Sequence, residues 1–142
     1  MAYSTATFQA ASIILYIHFK TEEENYDYLS TKRIAEMLNI PAPTVVKIIS
    51  KLNSAGLIQT KEGAKGGVLL AKPTENITLL DIFLAIEHGA LFKVEVDYLV
   101  EHPQVDHVKS IITDSLQDAE KAMKDSLKQK TLADIAIRSE GS

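Results

Sequence analysis

The chain contains no cysteine, which excludes disulfides, thiolate zinc sites and cysteine-ligated iron–sulfur clusters on chemistry alone. A long hydrophobic run is missing too. The longest apolar stretch, Ala10 to Phe19, is broken by Ser12 and His18 and is well short of the roughly 20 residues a membrane span needs. It reads as a buried helix, and no membrane partner is expected. No basic residue precedes it, the first being Lys20, so the charged leading region of a secretory signal is lacking and the expected location is the cytoplasm. No serine, histidine and acid arrangement, paired carboxylate or nucleotide-binding motif has a recognisable context, which argues against an enzyme.

What is present suits one globular lobe with an appendage: 142 residues, 46% apolar and 24% charged. The net charge of -4 hides an uneven distribution. Residues 31 to 72 carry Lys32, Arg33, Lys47, Lys51, Lys61, Lys65 and Lys72 against only Glu36 and Glu62, while the segments on either side are acidic. A local basic surface of this kind tracks phosphates.

The first helical pattern runs from about Thr5 to Lys20, with Phe8, Ala11, Ile14 or Leu15, and Phe19 near helical spacing. Ser30 is placed to cap a second helix ending at Leu38, with Leu29 stapled onto Ile34 and with Ile34, Ala35, Met37 and Leu38 as its apolar face. Asn39-Ile40-Pro41 forces a turn, because the residue before a proline avoids the helical region. A third helix follows over about Ala42 to Ala55, with Pro43 tolerated in its first turn. Val45, Ile48, Ile49 and Leu52 recur at core spacing, and Gly56 ends the helix as a left-handed cap. Leu57 to Thr60 and Val68 to Ala71 read as two strands around a glycine-rich tip. That tip lacks the spacing and the Lys-Ser/Thr ending of a phosphate loop. Thr78 then starts a helix that stops at Gly89.

The fold class is therefore mainly α with a small β-hairpin: a winged helix-turn-helix over residues 1–88, then a linker, a long helix and a short last helix over 89–142. The long helix spans about Pro103 to Lys128 and carries Val105, Val108, Ile112, Ala119, Met123 and Leu127 as a stripe that calls for a partner helix, so a homodimer is expected. Thr131 with Asp134 is placed to cap the last helix, Leu132 to Ile137.

Double-stranded DNA is the expected macromolecular partner. Thr44 and Lys47 sit where helix-turn-helix proteins reach base edges, whereas Lys32, Arg33 and Lys51 suit phosphates. Val46 is either an incidental surface residue or a contact for a thymine methyl. Thr31, Pro43, Ser50 and, at the wing, Lys61, Lys65 and Gly66 complete the candidate surface. His88, His102, Asp106 and His107 offer metal-ligand atoms within 20 residues, but surface histidines are the expectation, with no metal or cofactor. Two rivals stay open: a winged helix serving only as a protein-interaction module, and a small enzyme.

Ser30 to Ala71, STKRIAEMLNIPAPTVVKIISKLNSAGLIQTKEGAKGGVLLA, resembles the winged-helix regulators of the Rrf-two (Rrf2) family, a group with iron–sulfur, nitric-oxide and cysteine-metabolism regulators. The match lies in the IAEMLNIP turn, the KLNSAGLI junction, and the GAKGGVLLA wing followed by Ile77 to Ile82. The resemblance implies a transcriptional regulator; the expected mechanism is a repressor acting as a homodimer on a near-palindromic operator, with a small-molecule effector that the sequence does not identify. Cluster-binding members carry cysteines in the stretch corresponding to Leu91 to His107, where this chain has none; it resembles the cysteine-free branch. Many relatives also place an arginine where Glu62 stands, which leaves the wing contact to Lys61 and Lys65.

Overall fold

Six helices and one hairpin make up the described part of the chain, and the burial pattern shows why each forms where it does. A computed structural model describes residues 3–24, 27–63, 66–88, 91–92 and 98–140. Helix α1 (Tyr3–Glu23) threads the lobe and buries Ala10, Ile13, Ile14 and Ile17 completely. Phe8, expected on its inner face, is 73% exposed. The helix is apolar on more than one side, so periodicity left its orientation to be decided by its neighbours.

Ser30 caps α2 (Thr31–Leu38) as the sequence suggests, its hydroxyl accepting from the Arg33 N–H at 3.1 Å. Leu29 and Ile34 are both buried beside that cap, but Met37 points outward rather than into the core. Asn39 takes the left-handed conformation, φ 53°, and closes the turn. Helix α3 (Ala42–Ser54) then sends Val45, Ile48, Ile49 and Leu52 inward, and Gly56 ends it at φ +77°, a conformation glycine adopts without steric cost.

Strands β1 (Ile58–Lys61) and β2 (Gly67–Leu70) pair antiparallel from Ile58↔Leu70 to Lys61↔Gly67. Each lies slightly off its expected span because the Leu57 N–H still bonds the Leu52 carbonyl at 3.0 Å in the exit turn of α3. The hairpin is fastened to the lobe by Leu29, whose N–H and C=O bond Val68 at 3.0 and 2.7 Å. Gly67 lies so close to the Leu29 carbonyl that no Cβ would fit there.

A short 3-10 turn, Thr74–Asn76, leads to α4 (Leu79–Ile86). Thr78 and Asp81 form a reciprocal capping box at 3.1 and 2.9 Å. This helix stops at Ile86, before the expected Gly89, because Glu87 is already extended; Gly89 lies outside the described residues. Helix α5 (Val105–Lys128) has no buried residue along its 24 positions. Helix α6 (Leu132–Glu140) is capped by Thr131 and Asp134 and comes back to the lobe. There the Leu132 N–H bonds the Ile77 carbonyl at 2.9 Å and the Leu79 N–H bonds the Lys130 carbonyl at 2.8 Å. Leu132 is wholly buried, so the last helix shares the core of the winged-helix lobe. Each such fully buried aliphatic side chain contributes about 1.5–3 kcal/mol. Among the described residues no helix is long and apolar enough to cross a membrane.

Candidate nucleic-acid interface

Helix α3 is divided by its own periodicity. With Val45, Ile48, Ile49 and Leu52 locked in the core, Pro43, Val46, Lys47 and Ser50 are necessarily turned outward, and all four are exposed. Val46 keeps 55% of its surface, a large apolar area on an otherwise polar face. Ser54 is also exposed and continues the strip of Lys47 and Ser50; its spacing four residues beyond Ser50 is a signal that the sequence reading passed over. Thr44 is half-buried on the flank.

Lys51 differs from the other cations of this region. It is half-buried, and its ammonium donates to the Ile86 carbonyl at the end of α4, 3.3 Å away. Part of its hydrogen-bonding capacity is therefore spent within the lobe. On α2, Lys32 and Arg33 are exposed in the first turn and Thr31 is half-buried. The α2–turn–α3 unit thus brings the first-turn cations and the outward strip of α3 onto one supersecondary element, held rigid by the caps at Ser30 and Asn39.

At the wing, Lys61 is exposed and its ammonium lies 5.1 Å from the centre of the Tyr28 ring, a cation–π contact. Gly66 donates its N–H to the Gly63 carbonyl at 3.0 Å, and a Cβ on Gly66 would collide with the Lys61 carbonyl. The glycine is needed for this tight tip, whatever the tip touches. Glu62 is exposed beside it. Lys65 lies outside the described residues. On α1, Lys20 is hydrogen-bonded to Glu24 at 2.7 Å, which raises its pKa and commits it to that carboxylate.

The residues expected at the dimer seam divide between two environments. Val108, Ile112 and Ala119 are exposed, whereas Val105, Met123 and Leu127 are half-buried. Ile111, absent from the expected stripe, is 51% exposed and widens the open apolar side, while Leu116 joins the half-buried one. Helix α5 packs against α4, so one side of the stripe is partly shielded by its own chain. His88, His102, Asp106 and His107 are each exposed, and His102 Nδ1 accepts from the Gln104 N–H at 3.2 Å.

The chain matches the Rrf2 family, described as an iron-dependent transcriptional regulator, over residues 3–138. A Synechocystis protein named as a candidate helix-turn-helix-type transcriptional regulator is 37% identical over 67 residues, covering 47% of this chain and 46% of that protein. The chain spans about half the length of the first such curated relatives it matches. Among solved structures, CymR of B. subtilis, titled the global cysteine regulator, is 28% identical with a TM-score of 0.63, covering 95% of both chains. T. potens IscR shares the fold, with a TM-score of 0.70 at 23% identity over 96% of this chain and 86% of that one. The iron in the family description finds no thiolate here, since the chain has no cysteine. Among the described residues no group of three or more histidine or carboxylate side chains is placed to hold a metal ion. The residues present do not fit a cysteine-ligated cluster.

Proposed function

The chain belongs to the Rrf2 family of transcriptional regulators, and from that premise we propose that it is a sequence-specific DNA-binding repressor acting as a homodimer in the cytoplasm. The observation that carries this reading is the outward strip of α3, where Pro43, Val46, Lys47 and Ser50 stand exposed on a helix whose opposite side is fixed in the core. In this reading Thr44, Val46 and Lys47 meet base edges in the major groove. Thr31, Lys32, Arg33 and Ser50 hold the phosphates alongside, and Lys61, Lys65 and Gly66 of the wing meet the adjoining backbone. Lys51 steadies α3 against α4 and contributes its remaining donors to the same face.

Dimerisation through the open side of α5 would set two copies of α3 about one duplex turn apart, roughly 34 Å, and the operator would be near-palindromic. A small-molecule effector would act by biasing that spacing. Selection of bound sequences from random duplex DNA tests the reading: an enriched two-fold motif is expected. Recovery of no motif by a protein that is folded and dimeric would point instead to a protein-interaction module.

A further inference from the structure

A cleft of about 480 Å³ lies between the C-terminal half of α3 and α4. Leu57, Leu84 and Ala85 supply apolar lining, and Lys51, Lys72 and His88 supply nitrogen donors. Leu84 is the telling residue, since it leaves 47% of its surface uncovered in a cleft also lined by Lys51 and Lys72. Lys51 gives one hydrogen bond to Ile86 and an ammonium has three to give; Lys72 is exposed.

Among the described residues, the one carboxylate in the lining is Asp81, and the Thr78 N–H of the capping box already holds it at 2.9 Å. Two lysines against one carboxylate leave a single positive charge to be matched. A neutral hydrocarbon would leave the ammonium groups unanswered, and a dianion would meet Asp81 unfavourably. The volume falls in the range of small-ligand sites, whose usual make-up is an apolar lining with a few placed polar groups.

We propose that this cleft is a binding site for a small organic monocarboxylate with a short apolar body, the carboxylate on Lys51 and Lys72 and the apolar part over Leu84 and Ala85. The regulatory consequence rests on the DNA-binding reading above. Ser50 and Lys51 line the cleft and also belong to the proposed DNA face, so a carboxylate held there places negative charge where operator phosphates approach. Ligand and operator then weaken each other by the same factor, as linkage requires.

Hexanoate is the probe, with hexanol as the uncharged control at matched ionic strength, titrated into the full-length 15N-labelled protein. Hexanoate should shift the amides of Ser50 to Leu57 and Leu84 to His88 saturably at on the order of 10 mM or below. Hexanol should not saturate, and Lys72→Ala should weaken hexanoate by about fivefold. No saturable shift, or equal binding to Lys72→Ala, overturns the site. Operator binding supplies the second arm. Hexanoate should lower wild-type affinity by about fivefold or more, and Lys72→Ala should need about five times as much hexanoate for the same loss, while the salt dependence of Lys72→Ala on operator should equal that of the wild type. If instead that slope falls by about one phosphate per subunit, the cleft belongs to the DNA backbone and the proposal fails. Hexanoate binding without any change in operator affinity keeps the site and removes the coupling. Because the titration needs no DNA, its result stands even if the selection experiment returns no motif.

Discussion

Helices α1 and α5 are nearly equal in length, 21 and 24 residues, yet α1 buries four residues to zero exposure and α5 buries none. Apolar residues are present in both. The difference lies in the surroundings: α1 is enclosed by α2, α3, α4, α6 and β2, whereas α5 meets α4 and leaves Val108, Ile111 and Ile112 about half exposed. Burial rather than propensity supplies most of a helix's stability in a protein. A long amphipathic helix with so little of it is best explained by a second surface that completes its packing. The lobe covers its apolar residues with its own elements; the arm leaves an apolar side that the described residues do not cover.

The sharpest way to break this contrast is to truncate one side chain in each region. Leu132→Ala, in the core where α6 rejoins the lobe, should lower unfolding free energy by about 2–5 kcal/mol in urea titrations. A smaller loss than that caused by Ile112→Ala, measured with the dimer dissociated, would erase the distinction between lobe and arm.

The arm can be tested by charge. Ile112→Glu with Ala119→Glu should yield monomers by light scattering at micromolar protein, with the lobe still folded. Thermal midpoints of the wild type should rise with protein concentration, and those of the variant should not. A wild type that is itself monomeric would remove the seam altogether.

Within the lobe, the contrast between reading helix and wing is expected to be smaller. Lys47→Ala should cost about 1–3 kcal/mol on the preferred operator and relax selection at one position per half-site. Lys65→Ala should weaken all duplexes alike and reduce the salt slope by about one phosphate per subunit. Salt titrations on operator and scrambled duplexes check both, and the reverse pattern would exchange the roles of helix and wing. Smallest of all, Ser30→Ala removes the cap of α2 and should cost about 1 kcal/mol of stability with operator preference unchanged. A change in preference would mean that Ser30 touches DNA rather than its own helix.

Much of the lobe was legible because short-range chemistry decides it. Ser30, Asn39, Gly56, Thr78 and the Thr131–Asp134 pair act within a turn of their own positions, and each ends or starts a helix as its side chain or backbone dictates. The outward strip of α3 was legible for the same reason, since four core positions at helical spacing leave only one face for Lys47 and Ser50. Phe8 and Met37 were misplaced because an apolar residue near the edge of a stripe is covered or left bare by elements distant in sequence.

The sequence by itself determined the succession of elements, their caps and the exclusion of thiolate chemistry, because each depends on residues adjacent in the chain or on an atom that is simply missing. Tertiary structure alone decided three things: that α6 returns to seal the lobe through Leu132, that Lys51 is drawn to the end of α4, and that the arm's stripe is shielded on one side and open on the other. All three are contacts between segments far apart in the chain, and no local pattern encodes which surfaces will meet.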